Sequence, residues 1–131
     1  EYISNAEETL KILNLIKNSN SNLWLATQKY YFEYFLAYSI LMKIGIKSEL
    51  HLCTIEIIKL FEEEDIISFN FSEILDRDKE LRIANQYYLK NIKINIDLIE
   101  LRDLMLKVLN ILDKIDSKKT KRILTNYLLI K

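Results

Sequence analysis

The sequence predicts an all-α protein, and three features of its composition support this prediction. Its 131 residues include no Pro and one Gly, so the usual punctuation of β-sandwiches and turn-rich folds is missing. Leu, Ile, Lys, Glu and Asn are abundant, and most of these residue types favour helices. Half of the residues are hydrophobic, enough for a sizeable core. We expect an antiparallel bundle of four to five main helices plus a short C-terminal helix, in one domain covering residues 1–131.

The first part of the chain predicts a short helix followed by a long one. Ser4 and Glu7 have the spacing of a capping box and apolar residues follow at helical intervals, which indicates a helix at about 5–17. The polar run NSNSN forms a loop and supplies the next cap. The second helix is expected at about 22–44, ending at Gly45.

The second helix is apolar on nearly every face. Lys29, Glu33 and Lys43 form a thin polar stripe, so this helix belongs at the centre of the bundle or at a subunit interface. Aromatic residues recur at a spacing of four, as Tyr30, Tyr34 and Tyr38 and as Tyr31 and Phe35. Such stripes are typical of a core, and the alternative is a ligand cage.

The third helix is expected to start at a Ser48 cap and to end near Glu63. Its predicted inward face consists of Leu50, Cys53, Ile57, Leu60 and Phe61. Cys53 is the single cysteine, so an internal disulfide is excluded and a small buried hydrophobe is expected at this position.

The second half predicts three more helices. The apolar segment at 66–71 is a connector, and Ser72 opens a helix at about 73–88. Asp97 starts the clearest helical pattern of the chain, with Leu98, Leu101, Met105, Val108, Leu112 and Ile115 on one face. Ser117 caps a final helix whose inward residues are expected to be Ile123, Leu124, Tyr127 and Leu128.

Charge and motif content restrict the function. The chain has no net charge, so no global basic field attracts nucleic acid or an anionic membrane, although the final helix is basic and acid-free. It lacks a phosphate loop, a metalloprotease motif and paired cysteines, and its one histidine, His51, makes a metal site improbable. No apolar run approaches a membrane span, and a signal peptide pattern is missing. We therefore expect a cytoplasmic protein with no metal, cofactor or membrane partner.

A pattern of separated residues suggests a family. The pattern consists of Tyr30, Tyr31, Ala37, Leu41, Gly45, Lys47, Ser48 and His51. In this order and spacing it resembles the signature of the HEPN superfamily across the second and third helices. The resemblance covers about residues 5–115. It implies a four- or five-helix bundle that dimerises, with a cleft at the dimer interface.

A second motif of that family has a counterpart after residue 80. Ribonuclease members carry Arg-x4-His, in which Arg binds phosphate and His does acid–base or orienting work. Here Arg82 matches the Arg and Tyr87 stands at the His position. A phenol with a pKa of ~10 is a poor general base at neutral pH. The two residues are also separated by ~140° on a straight helix, so a shared pocket needs a bend or a second subunit.

Other family members imply a different role. They are small partners of minimal nucleotidyltransferases, and some are toxins silenced by adenylylation of a tyrosine near the motif. That tyrosine would fall at position 89, which is Leu89 here, and Tyr88 lies one residue earlier. The resemblance thus implies a homodimer that associates with a nucleotidyltransferase, a nucleotide or RNA.

Each candidate site residue also has a structural explanation. Arg82 could pair with Asp78 four residues earlier, and Tyr88 could belong to the core. His51 could tie the turn to the Tyr30 and Tyr31 region instead of joining Lys47 and Ser48 in a phosphate site at a helix start. Tyr30 and Tyr31 could serve packing alone.

Three functions follow from these alternatives. The favoured hypothesis is a HEPN-like nucleotide- or partner-binding module that works with a minimal nucleotidyltransferase, in a toxin–antitoxin pair. The enzyme hypothesis is a metal-independent endoribonuclease that uses Arg82 with Tyr87 or with a displaced His51. The third is a purely structural interaction bundle.

Overall fold

The computed structural model describes residues 1–47 and 51–130, and this part of the chain forms six α-helices and no strand. The helices are α1 (Tyr2–Ile16), α2 (Asn22–Lys43), α3 (His51–Glu63), α4 (Phe71–Gln86), α5 (Leu98–Lys114) and α6 (Ser117–Ile130). The predicted all-α class is therefore confirmed. No helix in the described residues is long and apolar enough to cross a membrane.

Helix α2 is the centre of the bundle, since it packs against α1, α3, α4 and α5. Its fully buried side chains include Tyr30, Phe32, Leu36, Ile40 and Leu41. The predicted polar stripe is wrong at one position, because Glu33 is only 1 % exposed. Glu33 is covered because it lies beside Asp78 of α4, so its neighbour is another acid and not solvent.

The two ends of α2 were predicted correctly. The Ser21 hydroxyl accepts a hydrogen bond from the Trp24 N–H at 3.4 Å, and this bond caps the helix start. At the other end Gly45 has φ +77°, a left-handed conformation that glycine adopts without the steric penalty of a Cβ. By contrast, α1 begins at Tyr2, so Ser4 is inside the helix and not a cap.

Helix α4 begins at Phe71 and ends at Gln86, two residues earlier at each end than predicted. Ser72 is not its cap. The Glu62 carboxylate of α3 accepts from the Ser72 N–H at 3.2 Å and from its hydroxyl at 3.1 Å, so another helix supplies the capping acceptor. The boundary was missed because this acceptor comes from a different element.

The segment after α4 is tied back to the bundle by two asparagines. The Asn85 side chain, only 3 % exposed, accepts from the Ile92 N–H at 2.6 Å and donates to its carbonyl at 3.2 Å. Asn22 donates to Asn91 and accepts from the Ile94 N–H. These bonds hold the backbone between Gln86 and Ile94 in place, including Leu89 and Asn91 at positive φ.

Helix α5 begins as predicted. The Asp97 carboxylate accepts from the backbone N–H groups of Ile99 and Glu100 at 3.0 and 3.2 Å. Of the predicted apolar face, Leu101 and Val108 are buried, whereas Leu98, Met105, Leu112 and Ile115 are partly buried against the core. Helix α5 therefore packs with the face expected from its period.

Three predictions about α3 and α6 are wrong. Cys53 is exposed, although Leu60 and Phe61 of the predicted face are buried and Ile57 is partly buried. Near its start, the buried side of α3 carries Thr54, Ile55 and Ile58. The α6 cap is Asp116, which accepts from the Lys119 N–H at 3.1 Å, while the Ser117 hydroxyl donates to the Lys43 carbonyl. Within α6, Leu124 is buried but Leu128 is 62 % exposed, since this helix packs chiefly against α3. The Ser48 cap lies outside the described residues.

Candidate functional site

Five predicted or neighbouring residues come together where α2, α3 and α4 meet. We call them the arginine–tyrosine cluster: Tyr30, Tyr31, Tyr34, His51 and Arg82. The helical spacing of α2 places Tyr30 and Tyr34 one turn apart on the same side. His51 is the first residue of α3, and Arg82 reaches the same place from α4. At the level of the sequence, only the family resemblance and the structural role expected of His51 link residues this distant.

His51 is fixed by two tyrosines. Its Nδ1 lies 2.9 Å from the Tyr30 hydroxyl, and its ring stacks on Tyr34 with centroids 3.8 Å apart and planes at 12°. Burial raises the pKa of Tyr30, which keeps the phenol protonated. The phenol therefore donates to Nδ1, which assigns the imidazole proton to Nε2. The structural role predicted for His51, tying the turn to the tyrosines of α2, is confirmed.

The charge state of His51 is set by its surroundings. Desolvation by burial lowers the pKa of His51, and the positive charges of Arg82 and Lys79 lower it further. The ring is thus neutral at pH values near 7. In this neutral state Nε2 is a donor and Nδ1 accepts from the Tyr30 hydroxyl, so the ring can take up a proton only at Nδ1.

Arg82 lies against aromatic rings and has no carboxylate partner among the described residues. Its guanidinium carbon is 5.2 Å from the Tyr30 ring centroid and 5.6 Å from that of Tyr31. Its Nη1 makes long contacts of 3.4 Å to the Tyr31 hydroxyl and 3.5 Å to Gln86 Oε1. Its Nε is buried and has no acceptor in the part of the chain that is described. The guanidinium therefore retains unused donors.

The predicted alternative for Arg82, an ion pair with Asp78, is wrong. Asp78 is 2 % exposed and pairs with Lys29 at 3.3 Å and with Arg77 at 3.2 Å. The helical spacing from Asp78 to Arg82 allowed a pair, but Lys29 reaches Asp78 from α2 and Arg77 is adjacent to it in α4. The packing of α2 against α4 therefore determines that Asp78 pairs with Lys29 and Arg77 and not with Arg82.

The remaining predicted site residues lie on the surface. Tyr87, the C-cap of α4, and Tyr88 are 65 % and 68 % exposed, so the expectation that Tyr88 belongs to the core is wrong. No described contact joins Tyr87 to Arg82. Lys47 is exposed. Ser48 lies outside the described residues, so its predicted part in a phosphate site stays a prediction.

Sequence reasoning missed a buried acid pair, Glu33 of α2 and Asp78 of α4. Burial raises the pKa of Glu33 well above its ordinary value, and the neighbouring Asp78 raises it further. Burial opposes ionisation of Asp78 too, but hydrogen bonds with Glu33 and Arg77 and the charge of Lys29 leave its pKa below the ordinary range. Glu33 is thus the protonated member and Asp78 the ionised one.

We expect the substitution Arg82→Ala to raise the pKa of His51, because the Arg82 charge opposes a second positive charge nearby. NMR titration of the imidazole Cε1–H signal measures this without ambiguity, since His51 is the single histidine. Lys79→Ala should raise this pKa by less, and Arg102→Ala, at an exposed position of α5, should leave it unchanged. An equal His51 pKa in the wild type and Arg82→Ala would contradict the described cluster.

Within residues 1–47 and 51–130, no group of three or more His, Cys, Asp or Glu residues is placed to hold a metal ion. No protein-family model matches the chain, and neither a curated protein sequence nor a solved structure matches it.

Proposed function

We propose that the chain is a binding module for a phosphate-bearing ligand of the nucleotide class, a nucleotide or RNA, at the arginine–tyrosine cluster. One observation carries the proposal. Arg82 is a half-buried cation with no carboxylate partner in the described residues and with a buried Nε that lacks an acceptor. A buried polar group without a partner is costly, so a ligand that supplies the missing acceptor gains free energy.

Arg82 and four other predicted site residues suit both parts of a nucleotide. A guanidinium presents parallel N–H donors that match two phosphate oxygens. Tyr31 and the exposed Tyr87 and Tyr88 offer aromatic faces on which a base can stack. Lys47, exposed and four residues before His51, supplies a second positive charge for a longer phosphate chain.

The partner proposal rests on the resemblance and on one surface. Tyr87, Tyr88 and Leu89 are consecutive and 65–77 % exposed, directly after the helix that carries Arg82. Exposed apolar residues grouped in this way favour an interaction surface.

We extend the proposal to a homodimer formed over this segment and to association with a minimal nucleotidyltransferase in a toxin–antitoxin pair. In sedimentation, we expect a dimer that Leu89→Asp dissociates.

A second function, a metal-independent endoribonuclease, is favoured by the position of His51. It contacts Tyr30, as Arg82 does, and its lowered pKa leaves the ring neutral near pH 7. It acts as a base at Nδ1 when the Tyr30 hydroxyl gives up its hydrogen bond to that atom. In this alternative His51 replaces Tyr87 as the proton-transfer group. Cleavage of RNA in EDTA that is lost in both His51→Ala and Arg82→Ala would establish the enzyme and displace the pure binding module.

Calorimetric titration with ATP and with a short single-stranded RNA tests the binding proposal. We expect Arg82→Ala to weaken binding by about tenfold to hundredfold, because a charge-assisted phosphate contact is lost. Arg102→Ala removes the same charge from an exposed position of α5 and serves as the matched control. Equal binding by wild type and Arg82→Ala would show that the phosphate lies elsewhere.

A further inference from the structure

A groove of about 510 Å³ lies between α4 and α5, with α2 at its base. Its apolar lining includes Phe69 and Leu104, while Glu73 and Glu100 stand on α4 and α5. Glu33 also lines it, although this side chain is 1 % exposed. The groove therefore combines hydrophobic walls with one buried carboxyl group, that of Glu33, and two exposed ones, those of Glu73 and Glu100.

Glu33 is unusual among the lining residues because both its carboxyl oxygens are buried and no donor of the described chain reaches them. Lys29, one turn earlier on α2, is bonded to Asp78, and Arg77 is bonded to the same acid. Glu33 therefore faces two cations that Asp78 has already engaged. A buried carboxyl group without a donor has unused capacity to accept hydrogen bonds.

The charges of the groove favour a cation. Its three basic side chains are Lys29, Arg77 and Lys107, and each is already paired with Asp78 or with Asp103. Glu73 and Glu100 have no cation within ion-pair distance in the described residues. Lys107 Nζ lies 5.5 Å from the centre of the Phe69 ring, which shows that an ammonium group is accommodated against this wall.

We propose that this groove binds a small aliphatic di- or polyamine. One ammonium group takes the place of the missing donor at Glu33, a second lies between Glu73 and Glu100, and the methylene chain packs on Phe69 and Leu104. When the ammonium group arrives, Glu33 gives up its hydrogen bond to Asp78 and releases its proton to solvent, and the Glu33 carboxylate and the ammonium group form an ion pair. Because the groove and the arginine–tyrosine cluster share no residue, this inference does not depend on the proposed nucleotide site.

Calorimetry with spermidine, in two buffers of different ionisation enthalpy, tests the proposal. We expect saturable millimolar or tighter binding with about one proton released per amine bound, since Glu33 ionises on binding. Glu33→Gln should weaken binding by about tenfold and remove the proton release, because glutamine keeps the shape but cannot ionise. Glu63→Gln, at an exposed position outside the groove, should bind like the wild type, and so should Arg82→Ala.

The outcomes separate the proposal from general charge attraction. Butylamine, with one ammonium group, should bind more weakly than spermidine, and succinate should not bind. The proposal is overturned if spermidine gives no saturable heat, if Glu33→Gln binds it as the wild type does, or if succinate binds instead. Thermal unfolding of Glu33→Gln, recorded in parallel, confirms that the variant is folded.

Discussion

The substitution Asp78→Ala should lower the free energy of unfolding by about 3–5 kcal/mol, the typical cost of removing one partner from a buried ion pair. Asp78 is 2 % exposed and bonded to Lys29 and Arg77, and Lys29 is itself only 17 % exposed. Without the carboxylate, the Lys29 ammonium remains in a partly dry interface with no counter-charge. Glu33 would have to ionise to replace it. This loss is large against a typical total of about 5–15 kcal/mol.

Urea unfolding of three proteins measures this effect: the wild type, Asp78→Ala and Asp76→Ala. Asp76 is an exposed neighbour on the same helix, so its substitution controls for helix propensity and for net charge. We expect Asp76→Ala to change stability by less than about 0.5 kcal/mol. Equal midpoints for the two variants would contradict the ion-pair arrangement between α2 and α4.

The substitution Glu33→Gln should stabilise the fold, and increasingly so as the pH rises. The pKa of Glu33 is higher in the folded chain than in the unfolded chain, so the native state holds a proton that the unfolded state releases. The stability contributed by this group is complete below the ordinary glutamate range and is lost as the pH rises towards the folded pKa. Glutamine donates to Asp78 without titrating, so it avoids this loss.

The measurement is the free energy of unfolding from about pH 5 to about pH 8, a range above the ordinary glutamate pKa. We expect Glu33→Gln to gain about 1–3 kcal/mol over the wild type at the alkaline end and little at the acid end. Glu73→Gln, at an exposed position, should run parallel to the wild type. A Glu33→Gln variant less stable than the wild type at about pH 8 would show that Glu33 is ionised in the native state.

The pKa of Asp78 shifts in the opposite direction to that of Glu33, so the acid pair also contributes to stability. The pKa of Asp78 is lowered, so its contribution to stability is present above the ordinary aspartate range and is lost as the pH falls. At pH values between the lowered pKa of Asp78 and the raised pKa of Glu33, the proton stays on Glu33 and the charge stays on Asp78. The pair thus holds α2 and α4 together with one negative charge shared by two cations.

The features that the sequence predicted well depend on local chemistry. Gly45 ends α2 because a residue with φ +77° is needed there, and Asp97 starts α5 because its carboxylate reaches two N–H groups of the next turn. The same reasoning predicts a cap at Ser72. This prediction is wrong because Glu62 of another helix provides the acceptor. Sequence patterns therefore predict a helix end correctly when the capping partner lies within a few residues of it.

The site could be predicted only in part, for the same reason. Residue spacing alone does not bring Arg82 to Tyr31, which lies 51 positions earlier, and the sequence predicts no contact between them. Glu33 follows Lys29 by one turn, a spacing typical of an exposed ion pair, yet packing against Asp78 buries it. A core position was one expectation for Tyr88, but α4 ends before this residue and its side chain is exposed.

The buried acid pair and the arginine–tyrosine cluster lie on the same pair of helices. Asp78 and Arg82 are one turn apart on α4, and they contact the adjacent residues Lys29 and Tyr30 of α2. Asp78 has both of its cations in place, whereas Arg82 has aromatic neighbours and no acid in the described chain. We therefore interpret Asp78 as a structural charge and Arg82 as a charge that is available to a ligand.

The most direct test of the nucleotide site is the arginine Nε–H region of a ¹H–¹⁵N NMR spectrum recorded during an ATP titration. Arg82 Nε has no acceptor in the described residues, whereas Arg77 Nε is bonded to Asp78 at 3.2 Å and serves as an internal control. A saturable shift of the Arg82 signal with a stationary Arg77 signal is the result that the account predicts. A stationary Arg82 signal at saturating ATP would contradict it.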